Sequence, residues 1–313
     1  MRKLIFLLFL FHTGFSQHRK QTVLMGSVFE FVVIEEDSAK AQEYFKQVIE
    51  EIDRIENLIS EWRPYTQISE VNRQAGIRPV KVNKEVLDLT LRALNYWKWS
   101  DGAFDISIVA LDKVWKFDGS MDRLPTPEEL AYSIRHVGSQ YIEIDTLNST
   151  IFLSKKGMKI GFGSIGKGYA ADKGRELLKN LGVKGGIVNA SGDLSTWGLP
   201  SQQAYWKIGI ADPYRSDRIL KVLKLKEDAV ATSGSTEKYA EIGGKRYSHI
   251  IDPKTGWPSS SLASVTVYGP SAEFCNYLST SLMVLGKKKG KKLVKRYPEY
   301  QAIFVKTRNR VGR

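Results

Sequence analysis

GFGSIGKGYAAD, residues 161–172, is the stretch on which the reading of the chain turns. Four glycines and a lysine stand directly ahead of a helical pattern. A glycine-rich turn entering a helix presents bare backbone N–H groups, an arrangement suited to holding a phosphate. It is not the phosphate loop of the common nucleotidases, because Gly168 stands where G-K-[ST] needs a hydroxyl. Gly161, Gly163 and Gly166 fit G-x-G-x-x-G, yet no acidic residue on a second strand is evident about twenty residues on. A tight strand-to-helix turn is the plain alternative. Against it stands Lys167: a cation at a helix start opposes the helix dipole unless an anion is bound nearby.

Around this loop the chain alternates strand and helix patterns without strict order. Val28–Ile34 reads as a strand. A helix follows, capped by Asp37 or Ser38, with Ala41, Tyr44, Phe45, Val48, Ile52, Ile55 and Ile59 on one face. A second helix opens at Asn83, and Pro125 and Pro127 start another. YIEID and IFLS pair around TLNST, and a helix from about Lys167 closes at Gly182. GIVNASGD, WKIGIA, ILKVLKL and ASVTVYG supply further strands, and a last helix runs from Ser271 to Leu285. The mixture implies an α+β fold of layered sheets with packed helices.

Composition narrows the chemistry. Arg2 and Lys3 precede an apolar run from Leu4 to Phe11 and then small residues to Ser16, the layout of a secretory signal peptide over residues 1–16. The run is too short to span a bilayer. No cysteine lies near the cut, so the protein is expected to be exported to the periplasm and not to be a lipoprotein. One domain then covers residues 17–313, with a basic C-terminal tail from about 287. The lone Cys275 excludes an intrachain disulfide and thiolate metal sites, so any metal is expected to be a hard cation held by oxygen. The net charge is +13, much of it in GKKKGKKLVKR and KTRNRVGR, read here as a solvated helix face and a loose tail. No zinc-finger, zipper or RNA-binding signature accompanies it, so nucleic acid is not expected as a partner.

Two further stretches carry polar chemistry. In YSHIIDPKTGWP, residues 247–258, His249 precedes good turn chemistry; packing against the strand is the plain reading of such a histidine. In SAEFCNYLSTSLMVLG, Glu273, Asn276 and Thr280 share one helix face, which suggests a buried polar site or helix–helix hydrogen bonds.

Taken in order, these stretches resemble the ApbE family, the flavin transferases that move FMN from FAD onto a protein. The resemblance runs from Met25 to about Gly286. MGS at 25–27 is similar to the family's opening M-G-[ST], LISEWRPYTQISEVN to its aromatic-then-S-E-x-x-N segment, and DGAFDIS to its G-A-F-D. The glycine-lysine loop, GIVNASGD, ATSG with YSHIIDPKTGWP, and the last helix complete the series.

The resemblance implies a T-fold-like architecture and a site for FAD and Mg2+. It places Met25, Ala103, Phe104, Asp105, Lys167 and Ile251 against the cofactor, with Trp62 stacking on the isoalloxazine. It places magnesium on the Ser164 carbonyl and the side chains of Asn276 and Thr280, and it makes His249 the assisting catalytic group. The family usually has Asp at both Gly161, a cofactor-contacting position, and Asn276; both departures remove negative charge. The activity implied is FAD:protein FMN transfer, attaching FMN through a phosphoester to a Thr or Ser of an acceptor protein and releasing AMP. Membrane association would come at most through partners. FAD pyrophosphatase activity giving FMN and AMP, or non-catalytic FAD binding, are the alternatives for the same pocket.

Overall fold

The computed structural model describes residues 16–200, 203–235 and 238–308. The expected leader, apart from Ser16, lies outside the described residues. Strands β1 (Ser16–Leu24) and β2 (Ser27–Glu35) form an antiparallel hairpin through Met25 and Gly26, at φ of 49° and 67°. A two-residue turn with both φ positive matches the twist of its strands. Glycine adopts it freely, whereas Met25 is held there against a steric preference.

Helix α1 (Ser38–Ile59) is capped by Asp37, which accepts from the Ala39 and Lys40 N–H groups. The chain continues through α2 (Gln67–Arg73), β3 (Val80–Lys81), α3 (Lys84–Trp99), a 3-10 helix at Ile106–Leu111, and α4 (Pro127–Ile134). The hairpin of β4 (Ile142–Asp145) and β5 (Thr150–Leu153) leads to α5 (Gly166–Asn180). Then come β6 (Gly186–Ala190), β7 (Asp193–Trp197), β8 (Trp206–Asp212), β9 (Arg215–Leu225) and β10 (Ala229–Gly234). Last are β11 (Tyr239–Ile242), β12 (Lys245–Ser248), β13 (Leu262–Gly269), α6 (Ala272–Val294) and β14 (Gln301–Lys306).

One antiparallel sheet in the order β1-β2-β6-β7-β10-β13-β14 organises the α+β layers; a small sheet, β3-β5-β4, stands apart. Residues of β2 show why the large sheet is buried on both faces. Phe29, Phe31 and Val33 pack with Phe45, Val48 and Ile52 of α1 and Ala170, Ala171 and Leu178 of α5. Val32 and Ile34 point the other way, into a cluster with Trp206, Ile210, Leu223 and Leu225 of the β8-β9 hairpin. Alternation along one strand therefore sets the order hairpin, sheet, helices.

The C-terminal region differs from the expectation of a loose basic tail. The helix stops at Leu285 as expected, where Gly286, at φ 68° and ψ 173°, breaks it, but a second helical stretch then carries the lysines to Val294. β14 then pairs with β13 as the edge of the large sheet. Lysines on a solvated helix face keep apolar positions such as Leu293 for the core, so charge density alone did not signal a tail.

Candidate functional site

The glycine loop and the last helix meet backbone to backbone. A Cβ on Gly168 would lie 2.4 Å from the Ala272 carbonyl oxygen, so only glycine lets α5 approach the start of α6 this closely. One turn on, Asp172 reaches across the same joint. Its carboxylate accepts from the Ala272 and Glu273 N–H groups, both at 3.0 Å, and from the Ser271 hydroxyl at 2.7 Å. It also accepts from Ser195 at 2.6 Å and pairs with Arg175 at 3.3 Å. Asp172 thus satisfies the orphan donors of a helix a hundred residues away and complements its dipole.

That joint fixes where Asn276 points. One end of its amide faces only acceptors and the other only donors, so the nitrogen is assigned to the acceptor side, where it donates to the Ser164 carbonyl at 3.0 Å and to Asp193 Oδ2 at 3.1 Å. Asp193 is itself buried, placed by the β6-β7 turn at Ser191 and Gly192, φ 59° and 104°. Thr280 lies one turn beyond, its hydroxyl 3.3 Å from Ser233 Oγ. Glu273 does not join this group. Arg92 holds it bidentately at 2.8 and 3.0 Å and the Tyr96 hydroxyl donates at 2.8 Å, on the flank facing α3. The donors that do converge are hard oxygens with a single carboxylate, Asp193, and they fit a hard cation in kind. A cation held there takes the amide oxygen of Asn276 in place of its nitrogen.

α5 begins without a side-chain cap at Ile165 and without an acid in its first turn. Lys167 stands in that turn, close enough to His249 for its charge to depress the ring's pKa. Burial is the largest cause of that depression, opposed by the hydrogen bond to the Lys238 backbone. The imidazole is therefore held neutral. Its Nδ1 lies 3.0 Å from the Lys238 carbonyl, which can only accept, so Nδ1 carries the proton and Nε2 keeps a lone pair.

On the other flank, Met25 is anchored by its N–H to Glu56 Oε2 at 2.8 Å, and Arg63 holds the same oxygen at 3.0 Å. The Met25 methyl reaches to within 3.6 Å of a Cβ built on Gly166. Trp62 is 82% exposed. Ser69 donates to the Arg63 carbonyl, and Asn72 clasps Ile160 through both its N–H and its carbonyl. The Ser69–Asn72 stretch therefore ties the tryptophan loop to the segment that enters the glycine loop.

Ala103, Phe104 and Asp105 are all buried, and Phe104 packs edge-on against Tyr96 and Tyr277. Asp105 accepts from Ser107 and Ser139, through both their hydroxyls and their N–H groups. These side chains are packed and hydrogen-bonded within the fold. Ile251 is buried in a cluster with Ala110, Leu111, Trp115 and Val137.

Two carboxylates central to the geometry, Asp172 and Asp193, are not singled out by residue type or spacing. Asp172 ends YAAD and Asp193 ends GIVNASGD, so their presence inside motif stretches was the available signal.

A sequence profile described as the ApbE family matches residues 25–304. The FAD:protein FMN transferase of Klebsiella pneumoniae (strain 342) is 31% identical over 290 residues, covering 92% of this chain and 88% of that protein. The protein of the same description from Salmonella typhimurium is 30% identical over 287 residues, covering 90% and 81%. Among solved structures, the ApbE protein of Thermotoga maritima superposes with a TM-score of 0.85 at 30% identity, covering 93% of this chain and 94% of that one. The apo flavinyl transferase ApbE of Pseudomonas stutzeri gives 0.84 at 28%, covering 96% and 94%.

Proposed function

The chain belongs to the ApbE family, and from that premise we propose that it is an FAD:protein FMN transferase. The acceptor is a protein presenting a Thr or Ser hydroxyl. Its oxygen attacks the FMN-side phosphorus of FAD, the bond from that phosphorus to the bridging oxygen breaks, and AMP leaves with the bridging oxygen. The observation that carries this reading is the convergence of the Ser164 carbonyl, Asn276 and Asp193 beside the uncapped start of α5, where Lys167 stands. Phosphoryl transfer asks for positioning and charge neutralisation more than covalent help.

His249 Nε2, neutral and free to accept, takes the proton of the attacking hydroxyl. Lys167 and the α5 N-terminus orient the diphosphate. The Ser164 carbonyl, Asn276, Thr280 and Asp193 would hold Mg2+, which would neutralise charge on the diphosphate. Export under the residue 1–16 leader would place the reaction in the periplasm, with acceptors on that side of the inner membrane.

The reaction is tested by following AMP release from FAD with and without an acceptor domain. AMP is expected to appear only with the acceptor, to stop when its Thr is changed to Val, and to need Mg2+. AMP release independent of acceptor identifies a pyrophosphatase instead.

Two variants probe the binding surfaces. Lys167→Ala is expected to weaken FAD binding in low salt, with the difference shrinking as ionic strength rises, because the contact is charge-assisted and screened. Equal binding at every salt concentration would show that Lys167 makes no diphosphate contact. Trp62→Ala is expected to cost about 1–3 kcal/mol of FAD affinity by calorimetry through lost stacking, and Trp62→Phe less. An unchanged affinity removes the ring from the site.

A further inference from the structure

Glu61 fills the space that a side chain on Gly161 would need. A Cβ built on Gly161 falls 2.7 Å from Glu61 Cδ and Oε1 and 3.0 Å from a Val109 methyl; one on Gly163 falls 3.9 Å from Oε1. The backbone of Gly161 is not in the left-handed region, so a larger residue would meet no backbone strain there; it would have to displace the Glu61 carboxyl, the far end of a side chain, and press on the Val109 methyl. The loop itself is held. The Gly161 N–H is tied to the Ile106 carbonyl at 2.9 Å, and Asn72 pins Ile160 beside it.

The carboxyl has no cation to neutralise it among the described residues. Arg63, two residues on, turns to Asp53 and Glu56 instead. Burial raises the Glu61 pKa, opposed by N–H groups of Glu61 itself and Phe162. A desolvated acid with acceptor capacity left over, next in sequence to an exposed indole, is costly unless something donates to it.

We propose that Glu61 is a ligand-contacting residue of the flavin site, accepting hydrogen bonds from neutral donors of bound FAD, namely the ring imide N–H or the ribityl hydroxyls. This rests on the FAD reading above. The choice of donors follows from charge: a carboxyl repels a diphosphate, so it belongs to the flavin half, at the Gly161 end of the loop. The diphosphate belongs to the Lys167 end.

Calorimetry of FAD, riboflavin and ADP in EDTA tests this without turnover, with urea unfolding confirming that each variant is folded. Glu61→Ala is expected to weaken FAD and riboflavin by about tenfold or more, the worth of a hydrogen bond to a charged group, and to leave ADP unchanged. The isosteric Glu61→Gln should fall between. Gly161→Asp alone should also lose FAD, since its side chain displaces the Glu61 carboxyl and sets a second acid beside it. The double variant Glu61→Ala/Gly161→Asp, which returns a carboxyl to the same space, should recover most of the affinity. FAD binding unchanged in both Glu61 variants, or ADP weakened as much as FAD, overturns the assignment while leaving the FAD reading intact. A wild-type protein that binds no FAD overturns both.

Discussion

Asp172→Ala is expected to lower the unfolding free energy by about 3–4 kcal/mol, measured by urea denaturation, at the top of the range for single substitutions. The carboxylate accepts from two backbone N–H groups and two hydroxyls and pairs with Arg175, so its removal strands several partly buried donors at once. Hydrogen bonds to a charged acceptor are the strong ones, but they are not additive, which keeps the estimate well below their sum. Asp172→Asn, which keeps one acceptor and loses the charge, should cost less. The variant's FAD affinity should fall as well, because α6 carries Asn276 and Thr280 and loses the cap that sets its start. A loss below about 1 kcal/mol would mean that Gly168 packing alone positions the helix.

The second large effect concerns Asn276→Asp. The amide nitrogen now satisfies two acceptors, the Ser164 carbonyl and Asp193 Oδ2. A carboxylate there would face both with no donor to offer, bringing two buried acids together. In EDTA the variant is expected to lose about 2–4 kcal/mol, from two broken hydrogen bonds and like-charge repulsion. Mg2+ should reverse the loss, since a ligand bound only by the folded state adds about 2.7 kcal/mol at a hundred times its Kd. The wild-type protein, with one carboxylate in the set, should gain less from the same Mg2+. Thermal unfolding with and without Mg2+ reads both numbers. A variant equally stable in the two conditions shows that no cation binds between Ser164, Asp193 and residue 276.

Where burial is one-sided, the sequence carried the fold in its periodicity. α1 shows its apolar stripe and its Asp37 cap openly, and β4 and β5 frame a turn that the residues themselves announce. β1 gave no such signal, because SQHRKQTVL is mostly exposed and is held by pairing with β2 along its whole length. α2 is also silent, a short polar helix whose Ser69 and Asn72 work through hydrogen bonds instead of apolar spacing.

The site divides in the same manner. Glycine loop, histidine turn and last helix are local motifs, and they could be read as such. What could not be read is compensation across the fold. Gly161 and Asn276 look in sequence like lost carboxylates, yet Glu61 packs against the first and Asp193 against the second. Each acid is distant in sequence from the position it serves, and the packing of α6 against β7 and of Asn72 on Ile160 brings them together.

The central claim is transfer, and intact-mass spectrometry of the acceptor tests it most directly. The protein, FAD, Mg2+ and an acceptor domain are incubated together, and AMP is quantified in the same tube. The acceptor should gain the mass of one FMN residue, on a Thr or Ser, in a one-to-one ratio with AMP. An acceptor of unchanged mass, whether AMP and free FMN accumulate or FAD stays whole, would contradict it.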